Sequence, residues 1–152
     1  MNNQTRLEQA NRFIETLTQA RELGLTAIEA GEGTLVVRLP YSEKIIGNPD
    51  TGAIHGGAIT TLMDTTSGSV IICALDEFEL CPTLDLRVDY MHPAEPGRPV
   101  YARAGTYKIT SNIIFTRCEA YQHEGNTIAN CVGTFMRIGK EASPKSYRDL
   151  IT

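Results

Sequence analysis

The chain has 152 residues, 41% hydrophobic and 21% charged, enough apolar material for one compact core and too little charge bias for disorder. Its formal net charge of -4 gives no footing for nucleic-acid binding. No apolar run approaches the roughly 20 residues needed to cross a bilayer, and the first 21 residues are polar rather than signal-like, so a single domain over 1–152 in the cytoplasm is expected.

In chain order, Leu7, Ala10, Phe13, Ile14, Leu17 and Ala20 recur at i, i+3, i+4 spacing and predict an amphipathic N-terminal helix within 1–22, stopped by Gly24. Thr26–Ala30 and Thr34–Pro40 read as strands around the turn Gly31-Glu32-Gly33. Residues 41–57 are irregular, rich in Gly, Asn, Pro and Asp, and end at Ile54-His55-Gly56-Gly57. Ala58 to about Leu75 reads as a long helix, with Ile59, Leu62, Met63, Thr66 and Val70 on one face. Thr83–Met91, Pro99–Thr110, Asn112–His123 and Thr127–Gly139 are strand-length blocks joined by short turns, which implies an antiparallel meander. These elements predict an α+β fold in which an antiparallel sheet of about six strands wraps one long helix, with a polar, loosely held tail at 140–152.

Four cysteines, Cys73, Cys81, Cys118 and Cys131, show no CxxC or zinc-type spacing and are expected to be reduced thiols, mostly buried. No metal constellation, phosphate loop, dinucleotide fingerprint or nucleophile elbow is present, so no metal and no cofactor are expected. The start of the long helix carries the chemistry. The first amides of a helix lack intrahelical partners and sit at the positive end of its dipole. Gly56 and Gly57 would admit a ligand to that backbone, and the Gly57 N–H is the candidate donor to a developing oxyanion. Asp64 lies mid-helix, where Asp is a poor helix former, on a stripe with Gly57, Thr60, Ser67, Gly68 and Ile71.

Gly47-Asn48 and His55-Gly56-Gly57-Ala58-x3-Leu62-x-Asp64, opening the only central helix, resemble the hotdog superfamily. Within it, the resemblance is to PaaI-like thioesterases of the phenylacetate pathway and to human thioesterase superfamily member 2 and its kin. Leu86-x-Val88-x-Tyr90-x-x-Pro93-Ala94-x-x-Gly97 and Gly125-x4-Asn130-x2-Gly133-Thr134-Phe135 are similar to later strands of that family, so the likeness spans about residues 25–139. The turn Lys108-Ile109-Thr110-Ser111-Asn112 departs from a Gly-Arg pair that many relatives carry, and no phosphate contact is carried over to it.

The resemblance implies hydrolysis of an acyl-CoA thioester, with Asp64 as general base or nucleophile. It implies Thr83 as a hydroxyl beside the acid, His55 as a support of the loop and carbonyl, and Asn48 as an orienting group; on its own, Asn48 reads equally well as a turn residue before Pro49. Gly56, Thr65, Ser67 and Gly68 complete the expected substrate-binding set. Gly57 and Asp64 stand about 10 Å apart along one helix at 1.5 Å per residue, too far to serve one carbonyl carbon. The acid and the oxyanion end are therefore expected from two antiparallel helices at a homodimer interface, as in the family, where such dimers assemble further as dimers of dimers. Two other readings are a hotdog dehydratase, whose His and acid residues are placed differently, and a non-catalytic acyl-CoA sensor, for whose usual DNA-binding segment residues 1–22 are too short.

Overall fold

The computed structural model describes residues 1–152. Helix α1 (Asn3–Thr16) begins where the Asn2 side chain accepts a hydrogen bond from the Thr5 amide at 2.8 Å, satisfying one of the donors a helix start leaves free. It does not run on to residue 22 as expected. Leu17 takes an extended backbone, and a second helix, α2 (Thr18–Leu23), starts there in a new direction. The break carries Ala20 into the core beside the central helix, a tertiary demand that periodicity does not encode. Gly24 ends α2 in the left-handed conformation, φ 74°, which a side chain would resist.

Strands β1 (Thr26–Gly31) and β2 (Thr34–Leu39) form the expected hairpin. The stretch read as irregular contains a single 3₁₀ turn (Glu43–Ile45) and a small ribbon, β3 (Ile46–Asn48) against β4 (Ala53–Ile54). Helix α3 (Gly56–Ala74) then starts two residues before the predicted Ala58, because His55 supplies its cap. Strands β5 (Thr83–Tyr90), β6 (Val100–Ile109), β7 (Ile113–Tyr121) and β8 (Thr127–Met136) complete a six-stranded antiparallel sheet in the order β1-β2-β6-β7-β8-β5.

The sheet curls around α3, which touches β2, β5, β6, β7 and β8. Leu62, Met63 and Val70 are fully buried among Leu35, Val37 and Leu39 of β2 and the small side chains Ala102, Ala104, Ala120 and Ala129. Alanines on that face let the helix sit deep in the trough, and each large apolar side chain buried there contributes roughly 1.5–3 kcal/mol. The two sheet edges differ. Asn11 of α1 covers the β1 edge, its amide nitrogen donating to the Ala27 carbonyl at 3.0 Å and its oxygen accepting from the Ala27 amide at 2.9 Å. The β5 edge has no such cover within the chain, and β5 is exposed along most of its length.

The tail is a correction to the sequence reading. Residues 145–151 form helix α4 (Lys145–Ile151), and Ile151 is fully buried with Ile72 and Phe78. Tyr147, one turn earlier, sets its ring 6.3 Å from Phe13. Ser143 ties the segment to the α3–β5 connection by accepting from the Leu80 amide at 2.9 Å. Two apolar side chains at i, i+4 suffice to dock a short helix whose composition is otherwise polar. No helix is long and apolar enough to cross a membrane.

Ile151→Ala is expected to lower the unfolding free energy by about 2 kcal/mol, the low end for a buried Ile→Ala because a chain end can relax around the gap; urea titration reads it. The thiols give a second test. Burial pushes Cys73 and Cys131 up to about 11 and, helped by the nearby Glu79 charge, Cys81 to about 12. The folded state thus favours neutral thiols over the unfolded value of about 8.5, so this contribution is complete below pH ~8.5 and disappears as pH rises through 11. Iodoacetamide at pH 8 should leave the native protein unmodified and label all four cysteines in denaturant, as counted by mass spectrometry.

Candidate functional site

The N-terminal tip of α3 is organised by residues before it and beside it. The His55 amide donates to the Ile45 carbonyl at 2.7 Å, which fixes the chain as it enters the helix. Gly47 of the β3–β4 ribbon passes directly under this point. A Cβ on Gly47 would lie 2.9 Å from His55 Cα, so only glycine allows the approach. The His55 side chain then folds over the helix start, and its Nδ1 accepts the Gly57 N–H at 2.8 Å. That bond requires Nδ1 to be unprotonated, which leaves the neutral ring's proton on Nε2.

This contact changes one expectation. The Gly57 N–H, read from sequence as the free donor, is engaged by its own cap; the amide at the tip that meets no acceptor within the chain is that of Gly56. Gly57 has a further reason to be glycine, since its Cβ would lie 2.8 Å from the His55 ring. Tyr90, at the end of β5, donates its hydroxyl to the Gly56 carbonyl at 2.7 Å and also bonds the Thr60 hydroxyl. The Thr61 hydroxyl donates to the Gly57 carbonyl at 2.8 Å.

Two turns along, Asp64 opens onto a cleft of about 440 Å³ walled by Leu17, Ala20, Thr60, Thr65 and Leu86. The Thr83 hydroxyl donates to Asp64 Oδ1 at 2.9 Å, the same-chain pairing expected of it. Oδ2 is left without a protein donor, so the carboxylate has one oxygen oriented and one available to accept a proton. A second, more apolar cleft of about 360 Å³ flanks the tip itself, between Ile54, Gly56, Ile59, Tyr90, Met91 and Pro93. The largest depression, about 490 Å³, lies among Arg103, Gly105, Arg117, Asn130 and Val132 of the sheet and holds none of the sequence-predicted residues.

The expected residues thus separate into groups. His55, Gly56 and Gly57 form the tip; Asp64, Thr65 and Thr83 share the cleft. Ser67 and Gly68 do not join them. Ser67 is fully buried, and Gly68 packs on Phe135, with 3.4 Å from its ideal Cβ position to the ring. From Thr66 to Cys73 the helix is buried at every residue except Gly68, so the stripe that is open at Asp64 closes under the sheet one turn later. Asn48 serves its turn: its Oδ1 accepts from the Asp50 amide at 3.0 Å and its carbonyl from the Gly52 amide at 2.8 Å. Sequence reasoning assigned no role to Tyr90 or to the α1–α2 break at Leu17. Tyr90 stood within a recognised strand pattern, but nothing local signals a contact 34 residues away.

Comparison with known proteins bears on this arrangement. A family model described as the thioesterase superfamily matches residues 51–129. A Pseudomonas aeruginosa protein of known crystal structure is 57% identical, with a TM-score of 0.81 over 88% of this chain and 99% of that one. The PaaI protein of the Escherichia coli phenylacetic acid degradation operon shares the fold at a TM-score of 0.78 and 21% identity, over 90% of this chain and 96% of that one. A putative esterase of Halobacterium salinarum is 37% identical over 75 residues, 47% of this chain and only 50% of that protein. The medium/long-chain acyl-CoA thioesterase YigI of Escherichia coli is 28% identical over 137 residues, 82% of this chain and 88% of that protein.

Because Gly47 leaves no room above it, Gly47→Ala is expected to cost about 1–3 kcal/mol of stability through overpacking, and to disturb the Gly57 amide resonance at the tip. A urea titration beside an amide NMR spectrum checks both.

Proposed function

Because the chain belongs to the thioesterase superfamily, we propose that it hydrolyses an acyl-CoA thioester to a free acid and coenzyme A at a site completed by a second copy of the chain. The observation that carries this reading is a partly solvent-open carboxylate, oriented by Thr83, on the same helix as an unpaired tip amide but about two turns from it. From Gly56 to Asp64 is eight residues, a rise of about 12 Å, so one chain cannot bring both to a single carbonyl. Two antiparallel α3 helices would bring each tip beside the other's Asp64 and create two equivalent sites. The surfaces such a dimer needs stand unpartnered: the stripe Gly57, Thr60, Thr61, Asp64 and Thr65 on α3, and the uncovered edge strand β5 with Leu84 at 54% exposure. A dimer of dimers is the corresponding higher assembly, and a reducing compartment such as the cytoplasm suits the buried free thiols.

In this scheme the thioester oxygen approaches the Gly56 N–H, at a tip that the His55 ring supports by capping Gly57. As water adds to the carbonyl carbon, the charge growing on that oxygen meets the amide and the positive end of the helix, and one such donor is worth roughly 3 kcal/mol of barrier. The partner protomer's carboxylate at position 64 takes the water proton through its free oxygen, while the Thr83 hydroxyl holds the other. Collapse of the tetrahedral species breaks the C–S bond, and the departing thiolate recovers the proton. If the carboxylate attacks directly, the same geometry gives a mixed anhydride that water then opens. The relative named as a medium/long-chain acyl-CoA thioesterase supports coenzyme A as the leaving group.

Incubation with a panel of acyl-CoA esters should release free thiol, and Asp64→Asn should lower kcat by a factor on the order of 10³ with the dimer intact by sedimentation. Undiminished turnover in that variant removes Asp64 from the reaction; an obligate monomer that still turns over removes the shared site; binding of every ester without turnover replaces hydrolysis by sensing.

A further inference from the structure

Tyr90 is 54% exposed, so water could satisfy its hydroxyl, yet the hydroxyl makes two protein hydrogen bonds. A phenol has one proton. It goes to the Gly56 carbonyl at 2.7 Å, so the Thr60 hydroxyl must donate to the phenol oxygen. The ring lies against Gly56, where a Cβ would sit 3.4 Å from the phenol oxygen and 3.5 Å from Cζ. The tyrosine therefore clamps the first turn of α3 at its carbonyl, at its backbone and at a side chain one turn on.

The Gly56 carbonyl and the Gly57 N–H are the two ends of one peptide unit. Tyr90 donates to its oxygen, and its N–H donates to His55 Nδ1 at 2.8 Å. Hydrogen bonds in such a chain polarise one another: a donor on the carbonyl makes the N–H at the far end a better donor. We propose that Tyr90 is a positioning residue, whose hydroxyl fixes the plane of the Gly56–Gly57 peptide and through it the His55 ring and the adjoining Gly56 N–H. The inference rests on the thioesterase reading for its effect on rate, and not for its effect on the tip. Because Tyr90 belongs to β5, the edge strand, its clamp also links the tip to the strand that the proposed second protomer would meet.

Tyr90→Phe keeps the ring and removes only the hydroxyl; Thr60→Val removes the other partner. Loss of one neutral hydrogen bond in orientation, with water free to replace it at an exposed site, is expected to lower kcat roughly tenfold while KM stays within about twofold and Tm within about 2 °C. The Gly57 amide proton should move upfield in the ¹⁵N–¹H spectrum of Tyr90→Phe as its bond to His55 weakens. Unchanged kcat in Tyr90→Phe, or a rise in KM together with a drop in Tm at constant kcat, overturns the proposal. Should the wild-type protein hydrolyse no thioester, the enzymatic reading fails separately, and the Gly57 resonance alone decides: a fixed resonance sinks the clamp, a shifted one sustains it.

Discussion

The structure depends on one packing constraint: a 19-residue helix has to be buried inside a sheet only six strands wide. Alanines on the concave face let the sheet close around the C-terminal half of α3, where nearly every residue from Thr66 to Cys73 is buried. The N-terminal half emerges from the trough, because β5 lies at the sheet edge and no further strand follows it. The open stripe on α3 follows directly from that geometry. It is open at Thr60, Thr61, Asp64 and Thr65, and closed at Ser67 one turn later.

The exposed tip is nevertheless one of the most constrained places in the chain. The β3–β4 ribbon passes under it at Gly47, the Ile45 carbonyl holds the His55 amide, and the His55 ring caps Gly57. Each of these contacts uses a glycine or a backbone group, so the tip is shaped by close approach rather than by apolar burial. The Gly56 amide, unpaired within the chain, sits at the positive end of the helix dipole, where an anion or a polarised carbonyl is favoured. The carboxylate of Asp64 is held apart from this tip by the rigidity of the helix itself, which keeps the two opposite charges from neutralising each other within one protomer.

The asymmetry between the sheet edges gives the chain its outward character. The β1 edge is closed by Asn11, whose amide imitates a neighbouring strand, and α1 is in turn braced by α4 through Phe13, Tyr147 and Ile151. Nothing comparable covers β5. A bare strand edge carries a row of unpaired backbone groups, and here it lies beside the half-open face of α3.

Much of this was legible in the residues alone. Periodicity defined α3 and its buried face, the alternation of Leu35, Val37 and Leu39 defined β2, and the His-Gly-Gly sequence marked where α3 begins, because helix phase, strand pleat and glycine's permissiveness are local properties. Three features were not local. The break at Leu17 answers to the packing of Ala20 on α3; the docking of the tail depends on a pocket made by Ile72 and Phe78; and the pairing of the Gly57 amide with His55, which shifts the free donor to Gly56, depends on a side-chain rotamer held over the helix start. Tyr90 belongs with them, since its hydroxyl meets a carbonyl 34 residues earlier in the chain only after the sheet has closed. Sequence determines which groups can donate, accept or pack; only the folded chain decides which of them find each other first and which are left free for a ligand.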